Sequence, residues 1–262
     1  MPIDFGMPTL LELDTIEDCA ALAVELGLDF IEINMNMPLY QVERMNAEAL
    51  RRASADKLYF TFHLDENFNP SDFNRGVAEA YVRTAMETIR LARAIGAPVV
   101  NLHMAEGIAF KLPDRKVHLF EKYRPQYLQG MMEFREACRE AAGESGVKIC
   151  LENTDSFQPF MREAIEMLLE CDCFQLTLDI GHSHCAGGVD EAFFLTHADR
   201  LAHMHIHDAE GGRCHLVLGG GEIDLAERLA LAARRNCRCV VETKSVEGLR
   251  ASVGWLKKGG YL

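Results

Sequence analysis

A chain of 262 residues with 48% hydrophobic content can bury one large core, and its length suits a single α/β barrel of roughly 250 residues. Its 27 basic and 40 acidic residues leave a formal net charge of -13, which argues against a general binder of nucleic acid or acidic membranes. No basic region followed by an apolar segment opens the chain, and no long uncharged run occurs, so neither a signal peptide nor a membrane span is expected.

The nine cysteines are scattered. Cys171/Cys173 and Cys237/Cys239 are Cys-x-Cys pairs, without the Cys-x-x-Cys spacing of zinc or redox motifs. Reduced, packed thiols in a cytoplasmic protein are the expectation.

In chain order, Ile3 to Phe5 reads as a short strand, and Asp14-Thr-Ile-Glu17 as a helix start with capping-box spacing. Ile16, Ala20, Ala23 and Leu26 hold helical period until Gly27. Phe30-Ile-Glu-Ile33 is the second strand, followed by a helix around Gln41 to Ala53. Leu58 to His63 is the third strand, and a long helix through Val77, Tyr81, Ala85 and Ile89 stops at Gly96. Val99 to His103 is the fourth strand. The connection from Met104 to Pro125 is long enough to suggest a lid or short helices, and a helix through Leu128, Met131 and Cys138 follows it. The fifth strand is Val147 to Glu152 and the next helix lies around Ala164 to Leu169. The sixth strand ends at Asp179, where a glycine turn delivers His182 and His184. A helix near Asp190 to His197, a seventh strand from Leu201 to His207 and a loop from Asp208 to Glu222 come next. The chain closes with a helix from about Leu225 to Arg235, an eighth strand from Arg238 to Glu242, and a last helix carrying Val246, Leu249, Val253 and Leu256.

Strands alternating with helices, with no linker between them, specify parallel strands and helical crossovers. One (β/α)8 barrel domain over residues 1–262 is the best fit, with an open doubly wound sheet as the alternative. The absence of Gly-x-Gly-x-x-Gly after the first strand weakens the dinucleotide-binding form of that alternative.

The strand ends carry the chemistry. From the third strand onward they present His63, His103, Glu152, Asp179, His205 and Glu242, each a metal ligand or acid-base group. In a barrel these ends converge on one face. Any one of them is an ordinary polar strand end; all of them sharing ligand chemistry points to a metal site.

The segments Thr-Phe-His63, Asn-Leu-His103, Leu-Glu152-Asn-Thr, Thr-Leu-Asp179-Ile-Gly-His182, Met-His205-Ile-His-Asp208, His215-Leu-Val-Leu-Gly-Gly-Gly and Val-Glu242-Thr, in that order, resemble the xylose isomerase-like barrel superfamily. That group includes sugar isomerases and epimerases and the endonuclease IV type of apurinic endonuclease. The resemblance implies a divalent cation held by Glu152, Asp179, His205 and Glu242. It also implies further ion sites of the endonuclease at His63, His103 and Glu152, and at His182 and His215. The aspartate that the endonuclease places two residues before His215 is Arg213 here.

Leu64-Asp-Glu-Asn67 puts two carboxylates beside His63, where DNA phosphates would pass, which favours a small sugar or polyol over nucleic acid. Three carboxylates and an imidazole suit Mn2+, Zn2+, Mg2+ or Co2+. On this reading the protein is an isomerase or epimerase of a ketose, sugar phosphate or related polyol, with Glu152 and Glu242 moving a proton through an enediolate. His182, Arg213 and Glu32 are candidates to hold substrate, Glu32 alternatively to brace a ligand. Asn153 and Asp208 are expected to orient ligands, and Gly219-Gly-Gly221 with Lys244 to cradle an anion. His118, His197 and His203 carry no site argument. Hydrolysis at abasic DNA, a hydroxy-acid dehydratase and a non-catalytic sugar-binding barrel are the rivals; assembly into a homo-oligomer is left open.

Overall fold

Short apolar runs alternate with amphipathic stretches because each strand is buried on both faces while each helix buries one. In the computed structural model, which describes residues 3–54 and 58–262, β1 (Phe5–Pro8) leads to α1 (Ile16–Leu26), and β2 (Phe30–Asn34) to α2 (Ala47–Ala53). β3 (Tyr59–His63) leads to α3 (Arg75–Ile95). β4 (Val99–His103) leads to a hairpin of β5 (Ala109–Lys111) and β6 (Lys116–His118), then α4 (Leu119–Lys122) and α5 (Arg124–Ala142). β7 (Lys148–Glu152) precedes α6 (Pro159–Leu169), and β8 (Phe174–Asp179) runs into α7 (Ile180–Cys185) and α8 (Glu191–Thr196). β9 (Leu201–Ile206) is followed by a hairpin of β10 (Asp208–Glu210) and β11 (Arg213–Leu216), then α9 (Leu225–Arg235), β12 (Arg238–Val241) and α10 (Val246–Lys258).

The strands β1, β2, β3, β4, β7, β8, β9 and β12 pair in that order, and β12 closes onto β1 in parallel register. This is a (β/α)8 barrel, and the open sheet is excluded. Its interior and helix-facing layers are filled by Phe5, Phe30, Phe60, Phe62 and Phe174, all essentially inaccessible; burying one such ring contributes about 1.5–3 kcal/mol. No helix among the described residues is long and apolar enough to cross a membrane.

Several boundaries differ from the sequence reading. The first strand starts at Phe5, and α1 is capped by Thr15, whose hydroxyl accepts from the Asp18 peptide N–H at 3.1 Å. Residues 38–44 form two 3-10 turns, and Asn46 caps a shorter α2. The 104–125 connection holds the β5–β6 hairpin and α4. The turn after Asp179 is itself a helix, α7, with Asp179 as its N-cap.

Cysteine pairing differs as well. Cys185 on α7 and Cys214 on β11 form a disulfide with Cα atoms 6.7 Å apart, so the expectation of thiols throughout fails at this pair. The other seven are free. A sequence separation of 29 hides the pairing, since α7 and β11 meet only after β9 has passed through the barrel.

Candidate active site and metal centre

Strand register assembles the site. It sets His103 beside Glu152 on β4 and β7, and Asp179 beside His205 on β8 and β9. Glu242 follows β12 directly, its peptide N–H donating to the Ile206 carbonyl at 3.0 Å. The C-terminal strand ends thereby surround one cavity of about 360 Å3, lined among others by His63, His103, Glu152, His205 and Glu242.

His205 is the hub. Its Nδ1 lies 2.8 Å from Glu152 Oε1, 3.2 Å from Glu242 Oε2 and 4.0 Å from Asp179 Oδ2. Its Nε2 lies 2.7 Å from Glu32 Oε1. Neither ring nitrogen is aligned for a hydrogen bond to these oxygens. Burial disfavours the imidazolium, but Glu152 and Glu32 outweigh it and hold His205 well above the ordinary histidine range. Burial alone would raise the Glu152 carboxyl; His205 and His103 instead keep it well below its usual value. Glu242 responds in the same way, with His205 overriding burial.

One donor atom from each of Glu152, Asp179, His205 and Glu242 lies within 4.8 Å of the others. Three carboxylates crowding a buried imidazole whose nitrogens are out of hydrogen-bond alignment form a donor set that fits a divalent cation.

Two histidine groups flank this hub. In the first, His63 Nε2 is 3.1 Å and His103 Nε2 3.4 Å from Glu152 Oε2. The Nδ1 of His63 donates to the Leu64 carbonyl at 2.7 Å. Burial pushes His63 down, but its bond to Glu152 brings it up to about 9.

The second group is His182, His207 and His215. The His215 peptide N–H, which can only donate, reaches His207 Nδ1 at 2.8 Å. That same Nδ1 also faces the Asp208 carbonyl at 3.2 Å, and Nε2 faces the Asp179 carboxylate at 3.1 and 3.2 Å. His215 adopts φ 57°, a left-handed conformation uncommon outside glycine, and its buried Nδ1 has no hydrogen-bond partner. Burial pushes the His215 imidazole down to about 4, so it is neutral. Gly181 is required here: a Cβ at that position would lie 1.8 Å from the His207 ring.

Other candidates fall in different places. Glu32 is buried at the cavity floor, where Oε2 accepts from the Thr61 hydroxyl at 3.1 Å and faces His203 Nε2 at 2.9 Å. Asn153 brackets Asp179, accepting from its N–H at 2.9 Å and donating to its carbonyl at 3.0 Å. Arg213 departs from expectation: its side chain is 70% exposed and pairs with Glu210, away from the cavity. A hairpin residue can face either way, and the nearby carboxylate of Glu210 takes the guanidinium outward. His184 pairs with Glu222 at 2.9 Å.

The glycine run is not open to an outside anion. Asp208 fills it, accepting from the N–H groups of Ala209, Gly219, Gly221 and Ile223 at 2.9–3.1 Å. Lys244 lies 3.4 Å from Glu242.

Sequence reasoning missed His203 and His207. Strand periodicity would have found them, because residues 203, 205 and 207 alternate onto one face. It also missed Asn101 and Thr177: the Thr177 hydroxyl donates to Asn101 Oδ1 at 2.6 Å, and Asn101 Nδ2 in turn donates to Glu152.

A family model described as xylose isomerase-like TIM barrel matches residues 20–259. Uncharacterized protein MJ1614 of Methanocaldococcus jannaschii is 26% identical over 264 residues, covering 97% of this chain and 98% of that protein. Among solved structures, a D-tagatose 3-epimerase-like protein matches with a TM-score of 0.80 at 22% identity, over 98% of this chain and 96% of that one. The 3-keto-D-glucoside 4-epimerase YcjR from E. coli matches with a TM-score of 0.76 at 17% identity, over 98% and 99%. By the extent of the family match, the chain belongs to the xylose isomerase-like TIM barrel family.

Proposed function

We propose that the protein is a divalent-metal-dependent isomerase or epimerase that moves a proton on a ketose or related polyol through an enediolate. The observation carrying this reading is the approach of Glu152 and Glu242, from β7 and from the end of β12, to one nitrogen of His205 at 2.8 and 3.2 Å. β7 and β12 are separated by β8 and β9 around the ring, so the two carboxylates enter the cavity from different sides. Both are ionised, as a base must be before it accepts a proton.

Glu152, Asp179, His205 and Glu242 would hold the cation, as Mn2+, Zn2+, Mg2+ or Co2+. When bound it polarises a carbonyl and its neighbouring hydroxyl and acidifies the adjacent C–H. One glutamate then takes the proton from one face of the sugar and the other returns it from the opposite face. Asn101 and Thr177 hold the Glu152 carboxylate in place, and Asn153 fixes the backbone of Asp179. His182 and His215 line the cavity and are suited to sugar hydroxyls, His215 through its neutral ring. The two epimerases that share the fold support this substrate class.

Duplex DNA fits less well. Glu66 lines the cavity beside Glu242, and Asp65 adjoins His63, so phosphates would meet like charge. The test is proton NMR in D2O with Mg2+- or Zn2+-loaded protein and a panel of ketoses. Deuterium entering a carbon beside the carbonyl is the expected result. Turnover without deuterium would indicate hydride transfer instead, and incision of abasic duplex would move the protein to the endonuclease reading.

A further inference from the structure

The cavity over His205 does not end at its mouth. A second space of about 450 Å3 adjoins it, sharing Pro8, Asn34, Asn36, Glu66, Glu242 and Lys244 as common wall. Together they form one elongated cleft leading outward between the loop after β1 and the loop after β2. The inner space of about 360 Å3 is where a ketose would reach the His205 hub, and the outer space lies beyond it.

The outer walls are chemically distinct from the inner ones. Leu10, Leu11, Met37 and Pro38 make one side apolar, and Leu11 is 86% exposed at the rim although its neighbour Leu10 is buried. Amides stand nearby. Asn34 Oδ1 accepts from the Asn36 peptide N–H at 2.9 Å and from its Nδ2 at 2.8 Å. That leaves Asn34 Nδ2 without a partner among the described residues. Lys244 is engaged with Glu242 at 3.4 Å, and Glu66 adds negative charge, so the space offers no free countercharge to an anion.

The geometry points to an outer subsite for an uncharged, hydroxylated ring joined to the ketose, making the substrate a keto-glycoside or keto-disaccharide. An apolar wall suits the C–H face of a pyranose, and the amides suit its hydroxyls. A phosphate in the same position would meet Lys244 only in competition with Glu242, and would face the carboxylate of Glu66. This inference rests on the reading above that a ketose sits at His205.

Calorimetric binding of isomaltulose and of D-fructose to the Mg2+-loaded protein tests it, with Leu11→Asp and Met37→Trp as outer-cleft variants. Isomaltulose is expected to bind about tenfold more tightly or better, which burial of about 55 Å2 of apolar surface supplies. Each variant should erase that advantage and leave D-fructose binding unchanged; Leu11, being exposed, can be replaced without disturbing the core. Equal affinities, or an advantage that survives both variants, overturn the subsite. Binding does not depend on turnover, so a disaccharide advantage without deuterium exchange defeats only the proposed reaction. Failure of both sugars to bind defeats the two together.

Discussion

The two histidine groups flanking His205 differ in how far a carboxylate reaches through them. His63 and His103 lean on a shared carboxylate, Glu152, and that carboxylate lifts His63 to about 9. His207 and His215 lean on each other, with ring centroids 4.2 Å apart, and burial leaves His215 neutral with a value of about 4. The first side is held by one shared carboxylate; on the second, Asp179 outweighs burial and raises His207, while His215 has only burial and packing around a neutral ring. Identical side chains at one barrel mouth thus acquire different chemistry from what sits next to them, which no count of histidines reveals.

The sharpest way to break that contrast is kinetic. Glu152→Gln and Glu242→Gln keep an oxygen at each position but remove the base, and each is expected to slow proton exchange about 10²–10⁴-fold while metal content stays unchanged. His215→Asn, on the packed side, should cost about tenfold or less, as a lost sugar contact does. An equal loss in all three would show that the two sides do not differ in role.

Reduction addresses the packed side alone, because Cys185 and Cys214 tie α7 to β11 across a 29-residue separation. Loop-closure entropy for that length amounts to about 3–4 kcal/mol, so dithiothreitol or Cys185→Ser should lower Tm by roughly 6–16 °C in scanning calorimetry. Nine titratable thiols in protein never exposed to reductant would remove this support.

His207→Asn tests whether that side serves the hub through Asp179. A group that orients a metal ligand typically matters by about 10–100-fold in affinity, and competition with a chelating dye should show a loss of that size. Undiminished affinity would separate the two regions entirely.

The smallest effect is the pH slope. His205 is raised in the metal-free protein, so its contribution to folding is complete below the unfolded value of about 6.5 and fades as pH climbs through the folded one. A cation at Nδ1 must displace that proton, so affinity should rise with pH, about tenfold per unit for one proton. Calorimetry at pH 6 and 7 checks this, and a flat or inverted slope would contradict the protonated hub.

Much of this was legible in the chain. The eight strands were visible because each is a short apolar run ending in a polar residue, and the ends at His63, His103, Glu152 and Asp179 coincide with strand termini in the fold. The hidden features depend on direction or on distant partners. Nothing local dictates that Arg213 turns toward Glu210, that Asp208 occupies the glycine run thirteen residues downstream at Gly221, or that Cys185 meets Cys214. The face that His203 and His207 share with His205 lay within reach of the period-two pattern.

Gly181 and His207 carry a consequence for how this sequence can diverge. No side chain fits at position 181 while an imidazole stands 1.8 Å from where its first carbon would be, so position 181 cannot drift while His207 stays. Descendants of this chain should retain glycine wherever they retain the histidine, whereas the histidine can be lost first. In a population of variants selected for growth, Gly181→Ala is expected to survive only beside a smaller residue at 207, so that the order of change is set across 26 positions of sequence.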